Sequence, residues 1–197
     1  MINDNTTFVP IKKFISKENC LDIIKSSITN AHFDYGYIGN GGDGRMDLSV
    51  RKTELYFHKD PEVEKVLFET VQNINKKHWN FEIDRIEILQ MGVYNEGCFY
   101  DWHQDNFNAA HGGPIRKLSF SLLLNSGDEF SGGELEMETR QYRSGKNNPF
   151  TSFKIKSPKV PGTLIVFPSY VMHRVLPVTK GVRSSLVGWV LGKNHFR

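Results

Sequence analysis

No aspartate or glutamate occurs after Glu138 in this 197-residue chain. All 22 acids lie in residues 1–138 beside 14 of the 25 Lys and Arg, a formal charge of −8. Residues 139–197 hold 11 basic residues and carry +11, which leaves the whole chain at +3. A cation buried in the last third must therefore find its counter-charge in an earlier segment or in a ligand. A basic last third also suits an anionic partner or a nucleic acid, unless folding interleaves both halves on one surface, which is the simpler expectation. The two cysteines, Cys20 and Cys98, make neither a disulfide framework nor a metal spacing, and fit reduced thiols. No apolar run approaches the roughly 20 residues that cross a bilayer. Residues Met1–Thr7 have neither the basic stretch nor the apolar run of a secretory leader. The expectation is a cytoplasmic protein with no membrane partner.

The hydrophobic content of 39% supports one compact domain over residues 1–197, and 14 Phe suit a β-rich interior. Ser16 can cap a helix through Cys20, Leu21, Ile23, Ile24 and Ile28, whose spacing is helical. Five glycines within Gly36–Met46 read as a mobile loop. Asp60-Pro61 offers a cap and a first-turn proline for a second helix to about Trp79, with Val63, Val66, Leu67, Val71 and Ile74 on its buried side. From residue 85 short strand-like segments follow: Arg85–Tyr94, Ile115–Asn125, Gly133–Glu138, Ser152–Ile155, Gly162–Phe167 and Val182–Leu191. Turn formers separate them, and Arg140–Phe150 reads as a polar, basic insertion. Many short strands without helical intervals predict a sandwich or barrel.

His103-Gln104-Asp105 stands out within this frame. In extended chain, side chains two apart share a face, so His103 and Asp105 can aim at one metal while Gln104 points away. A third ligand has to come from a distant strand, and His173 after Phe167-Pro168-Ser169-Tyr170 is placed for it. Two imidazoles and a carboxylate are the protein ligands of a non-haem Fe(II) site with open positions. His32, His58, His78, His111 and His195 have no partner at such a spacing and read as surface or capping residues. Ten residues after His173 comes Arg183. Alternation puts Arg183, Ser185, Val187 and Trp189 on one strand face and Ser184, Leu186, Gly188 and Val190 on the other. An inward arginine is badly desolvated unless an anion meets it, and its planar fork suits a carboxylate on a co-substrate.

Several ordered motifs carry a family resemblance. They are Tyr94-x-x-Gly97-x-x-Tyr100-x-x-His103-x-Asp105, Gly132-Gly133-Glu134-Leu135, Gly162 to Phe167, and His173 through Arg183 to Trp189. Together they resemble the Fe(II)/2-oxoglutarate-dependent dioxygenases, and within them the prolyl 4-hydroxylase-like group, from about Ile86 to Trp189. The resemblance implies a mostly β, double-stranded β-helix (jelly-roll) core over 85–191, supported by N-terminal helices and a substrate loop in 1–84. It implies Fe(II) on His103, Asp105 and His173, and 2-oxoglutarate held by Arg183 in a pocket with Tyr94, Leu135, Val175 and Trp189. The implied reaction consumes O2, releases succinate and CO2, hydroxylates a C–H bond, and has ascorbate as accessory reductant. Peptidyl proline is the leading substrate; a free amino acid or small metabolite is the alternative. Arg51 and Tyr100 are the candidate substrate residues, Arg51 because Leu48–Thr53 matches a flap over the iron in the resembled hydroxylases.

One departure is plain. Some relatives place a tyrosine beside the arginine from the strand reading Ser119–Asn125, where this chain has leucines, so a second polar contact falls to Ser185 or Tyr94, or is absent. Two other readings compete. A nucleic-acid demethylase would draw on the basic last third, but Arg183-Ser184-Ser185 lacks the further arginines of that group and no aromatic-basic stripe for stacking bases is visible. The other is a non-catalytic or hydrolytic metal-binding jelly roll holding zinc; a zinc hydrolase would want a general base beside its water, and none is evident near His173.

Overall fold

The computed structural model describes residues 6–29, 33–35, 47–106, 114–142, 150–193 and 196. The glycine-rich loop 36–46, most of the basic insertion (143–149) and His32, His111 and His195 lie outside these described residues. In chain order the elements are β1 (Val9–Ile11), α1 (Lys17–Thr29), β2 (Phe33–Tyr35), β3 (Arg51–Lys52), β4 (Glu54–His58), α2 (Pro61–His78), β5 (Arg85–Ile86) and β6 (Leu89–Tyr94). They continue with β7 (Phe99–His103), β8 (Ile115–Leu123), β9 (Phe130–Gly132), β10 (Leu135–Tyr142) and β11 (Phe150–Lys156). The last are β12 (Leu164–Pro168), β13 (His173–Val175), β14 (Val178–Gly181) and β15 (Arg183–Gly192).

Two antiparallel sheets build the jelly-roll core expected from the sequence. The larger runs β1-β12-β8-β15-β6-β4-β2, with β5 added against β15; the smaller runs β11-β10-β13-β7-β3. The non-sequential strand order is what brings distant segments into register. The N-terminal third contributes more than the predicted helices, since β1, β2 and β4 extend the large sheet and β3 edges the small one. These strands are two to five residues long, too short to leave a period-two signal in sequence.

Both helices begin where capping chemistry places them. The backbone N–H of Asn19 donates to Ser16 Oγ at 3.1 Å, and Asp60 Oδ1 accepts from the N–H groups of Glu62 and Val63 at 3.0 and 3.2 Å. Their buried residues, Cys20 and Ile23 on α1 and Leu67, Val71 and Ile74 on α2, join Leu118, Leu122, Leu164, Leu186 and Val190 in one cluster on the outer face of the large sheet. Val66, expected on the buried side, is 48% exposed. The stripe that packs is Leu67–Val71–Ile74, and Val66 sits about 100° around the helix from it.

His58 corrects another expectation. It is neither a surface nor a capping residue but 2% exposed, at the end of β4 against α1. Ser27 Oγ donates to the Ile23 carbonyl at 2.7 Å, so it accepts from His58 Nδ1 at 2.9 Å. Nδ1 therefore carries the proton, and Nε2 is left buried with no hydrogen-bond partner. Burial pushes the His58 pKa below its ordinary 6.5, against a smaller opposite pull from Asp60. The unfolded chain thus binds the proton first as pH falls. The stabilisation is complete above the unfolded pKa and is lost as pH falls from about 6.5 toward the depressed folded value. Urea midpoints should fall between roughly pH 7.5 and 5.5, and His58→Gln should flatten that slope. An equal slope in the variant would place the titrating group elsewhere.

Candidate active site

The first feature of the site is a cross-strand pair. β7 ends on His103, β13 begins on His173, and the two are direct antiparallel partners with ring centroids 4.1 Å apart. His103 Nδ1 lies 2.8 Å from the Asp101 carbonyl and His173 Nδ1 lies 2.9 Å from the Val171 carbonyl. A carbonyl only accepts, so both Nδ1 atoms carry protons and both Nε2 lone pairs are free for a metal. Asp105 lies past the end of β7 rather than within extended chain. Its N–H and that of Asn106 both donate to the Ser169 carbonyl, at 2.8 and 3.1 Å, and these bonds hold the segment with its carboxylate beside the histidines.

His103 Nε2 is 3.7 Å from Asp105 Oδ1, His173 Nε2 is 3.4 Å from Asp105 Oδ2, and the three ligand atoms lie within 4.8 Å of one another. Metal bonds of about 2.1 Å at right angles put neighbouring ligand atoms about 3 Å apart, so a small inward shift seats a divalent ion. The donor set of two nitrogens and one oxygen fits Fe(II) with open positions. Burial, then the neighbouring His173, pushes the His103 pKa down to about 3, which keeps the imidazole neutral. Burial alone would raise the Asp105 pKa, but His173 and His103 outweigh it, helped by hydrogen bonds from Trp189 and Ser119, and hold it below the usual carboxylate range.

Asp105 is braced from behind. Ser119 on β8 donates from Oγ to Asp105 Oδ2 at 2.8 Å, and Ser169 Oγ sits 2.9 Å from Ser119 Oγ. Since Ser119 spends its proton on the carboxylate, Ser169 donates to Ser119. Ser169 thus fixes Asp105 twice, through the backbone and through this hydroxyl chain. Sequence reasoning passed over both serines. The available signal was Ser119 and Ser121 alternating with Leu118, Phe120 and Leu122, two polar residues on one face of an apolar strand.

Arg183, at the start of β15, is 3% exposed, and among the described residues no carboxylate reaches ion-pair distance of it. Its Nη1 donates to Ser185 Oγ at 2.8 Å, and its guanidinium carbon is 5.2 Å from the centre of the Tyr94 ring. Asn125 clamps the backbone on both sides: its Nδ2 donates to Val182 O at 2.6 Å and its Oδ1 accepts from Ser184 N at 2.9 Å. Gly133, at φ +65°, lies where an added Cβ would fall 3.0 Å from Arg183 Cδ. One cavity of about 280 Å³ between the two sheets is lined by the His103–Asp105–His173 cluster, Arg183, and the predicted Tyr94, Leu135, Val175, Ser185 and Trp189.

Arg51 and Tyr100 line the same cavity. Tyr100 stacks on His103 with centroids 3.5 Å apart, and the Arg51 guanidinium carbon is 4.5 Å from the centre of the Tyr100 ring. Burial pushes the Tyr100 pKa up to about 12, so its phenol stays protonated. A further pair escaped sequence reasoning. Arg116 forks onto Glu87, with Nε and Nη2 2.7 and 2.9 Å from the two carboxylate oxygens, and lies 3.7 Å over the Trp189 ring. The charge segregation of the sequence is undone by folding, since Arg174 pairs with Glu136 and Lys159 with Glu134.

Residues 89–191 match the model of the 2OG-Fe(II) oxygenase superfamily. Among curated proteins, the chain is 39% identical over 98 residues to a PKHD-type hydroxylase of Hyphomonas neptunium, covering 48% of this chain and 38% of the relative. It is 29% identical over 187 residues to a PKHD-type hydroxylase of Picosynechococcus, covering 93% and 77%. The chain thus spans well under half the length of the first of these relatives. Among solved structures it resembles a Trichoplax adhaerens prolyl hydroxylase in complex with a hypoxia inducible factor oxygen degradation domain peptide fragment. That match has a TM-score of 0.72 and 16% identity, over 96% of this chain and 84% of that one, and it bears on the fold alone. No helix among the described residues is long and apolar enough to cross a membrane. With the match to the family model spanning β6 to β15, the chain belongs to the 2OG-Fe(II) oxygenase superfamily.

Proposed function

We propose that this chain, read as a single domain, is a hydroxylase that uses Fe(II), 2-oxoglutarate and O2 to place a hydroxyl on a C–H bond, with release of succinate and CO2. Peptidyl proline is the target we favour, with ascorbate as accessory reductant. The PKHD-type names of the curated relatives and the peptide held by the Trichoplax hydroxylase support this choice. The observation that carries the reading is one cavity with the two-histidine and carboxylate cluster at one part of its wall and, at another, a buried arginine that no carboxylate among the described residues reaches.

In this reading His103, Asp105 and His173 hold Fe(II), which when bound supplies the O2 activation that side chains cannot. Arg183, oriented by Ser185 and Asn125, meets the distal carboxylate of 2-oxoglutarate, and that charge offsets the cost of burying the guanidinium. Leu135, Val175 and the Tyr94 and Trp189 rings exclude water around the co-substrate. Arg51 and Tyr100 face the substrate, Tyr100 also fixing the plane of the His103 ring by stacking.

Three outcomes test these roles. Outer-shell partners of metal ligands are worth about 10- to 100-fold in affinity. His173→Ala, which loses a ligand outright, should exceed that and abolish 2-oxoglutarate turnover; full turnover would sink the metal assignment. Ser119→Ala, which loses only the brace on Asp105, should weaken Fe(II) binding by about 10- to 100-fold with the circular dichroism spectrum unchanged. Arg183→Lys keeps the charge but loses the fork. Half-saturation for 2-oxoglutarate should rise about tenfold to a hundredfold while Fe(II) affinity holds, and an unchanged value would remove Arg183 from the co-substrate site.

A further inference from the structure

Four residues, Ser169–Met172, join β12 to β13, and the chain turns there on a bond from Val171 N to Pro168 O at 2.9 Å. The carbonyls of this connection are engaged by other segments. Ser169 O accepts from Asp105 N and Asn106 N at 2.8 and 3.1 Å, and Tyr170 O accepts from Gln104 Nε2 at 2.5 Å. Val171 O accepts from His173 Nδ1 at 2.9 Å. A carbonyl only accepts, so the Gln104 amide must turn its nitrogen toward Tyr170. Three successive carbonyls thus hold Asp105, the residue between His103 and Asp105, and His173. A shift of this connection would carry two of the three ligands with it.

The connection is itself held from outside the site. Ser169 is buried, and its N–H donates to Lys117 O on β8 at 3.0 Å. Tyr170 is 43% exposed, and the Phe196 ring meets it edge to face with centroids 5.0 Å apart. Phe196 also lies edge to face on Phe81 at 5.2 Å, and the Lys117 ammonium is 5.2 Å from the centre of its ring. Phe81 is a firm seat. Asn75 on α2 accepts from Phe81 N at 2.9 Å and donates to Phe81 O at 2.8 Å, and the Trp79 ring stacks on Phe81 with centroids 6.5 Å apart. Edge-to-face pairs fix ring geometry as well as burying surface. A line of contacts therefore runs from the end of α2 through Phe81, Phe196 and Tyr170 to the carbonyls that hold the metal ligands. Phe81, Phe196, Tyr170 and Gln104 all lie outside the cavity wall.

We propose that Gln104 and Phe196 are positioning residues for the metal site, clamping the Ser169–Met172 connection, one through its backbone and the other through the Tyr170 ring. This rests on the metal role assigned to His103, Asp105 and His173 above. Gln104 ties the connection to the ligand segment after β7, and Phe196 ties it to the end of α2. Without either, Ser169 and Val171 still accept from their partners but no longer stand in one fixed place. The ligand set then has more motion to give up when a cation binds.

Mn(II), which needs no reductant in air, is the probe, and calorimetry on the full chain reads its Kd. Gln104→Leu removes the donor at an exposed position, and Phe196→Ala removes the ring. Each should raise the Mn(II) Kd about threefold to tenfold, with the far-UV circular dichroism spectrum unchanged. Phe196→Tyr, which keeps the ring, should stay within about twofold of the wild type. Both residues act through one connection, so the double variant Gln104→Leu, Phe196→Ala should weaken binding by less than the product of the single effects. An unchanged Kd in either single variant overturns the clamp, whether or not its Tm falls, since a lowered Tm alone marks a residue that serves only the fold. Single effects that simply multiply place the two residues in separate networks and overturn it as well. Should Phe196→Ala not fold, Phe196→Leu is read in its place against the same outcomes. His173→Ala separates the clamp from the metal assignment. Full Mn(II) binding in that variant removes the metal site, whereas its loss there, with unchanged binding in Gln104→Leu and Phe196→Ala, removes only the clamp.

Discussion

The direct pairing of His173 with His103 across β13 and β7 is the constraint on which the site depends. It joins two segments that the sequence holds far apart, and it does so with both Nδ1 protons already committed to backbone carbonyls. Each ring is therefore locked in tautomer as well as in position before any ligand arrives. The segment after β7 then has only to deliver Asp105, and Ser169 guides it through a backbone acceptor and a hydroxyl relay. Preorganisation of this kind avoids reordering costs at the moment of binding.

Arg183 poses the opposite physical problem, a full charge buried where no carboxylate among the described residues reaches it. Burial lowers its hold on the proton, partly offset by Tyr94 and Glu134, yet an arginine stays charged under ordinary conditions. Most of the molecule avoids such debts: Arg116 is forked onto Glu87, and Arg174 onto Glu136. Unbalanced polar groups in a well-paired interior mark a place designed around something that comes and goes.

How far the sequence could be read follows from the range of the signals. The helix starts were legible because capping is local, one side chain reaching a backbone group two or three residues away. The alternation in β15 was legible because ten residues carry enough period-two signal: Arg183, Ser185, Val187 and Trp189 do line the cavity, and Leu186 and Val190 do join the helix cluster. Arg183 drew notice because no acid follows Glu138. What stayed hidden was set by contacts between distant segments. His58 resembles a loop histidine until α1 folds over it, and Ser169 resembles a turn residue until its carbonyl meets Asp105.

The register of the sheets also explains why the sheet that carries the site needs helices that never touch it. On β8 and β15 one face carries Leu118, Leu122, Leu186 and Val190 into the helix layer, while the other carries Ser119, Ser121, Arg183 and Ser185 toward the cavity. A slip of one residue would turn both sets over at once, placing an arginine and three hydroxyls against α1 and α2. Burying the leucines under the helices makes that slip prohibitive, because the charge would enter an apolar layer just as the apolar side chains left it. The helix layer therefore stabilises the fold and specifies the site through the same contacts. Gly188 shows how tightly this is done: the Phe120 ring and Leu89 occupy the space where its Cβ would stand, 2.5 and 2.8 Å away. The outer face of β15 is packed to contact at the very strand whose inner face must hold an arginine steady.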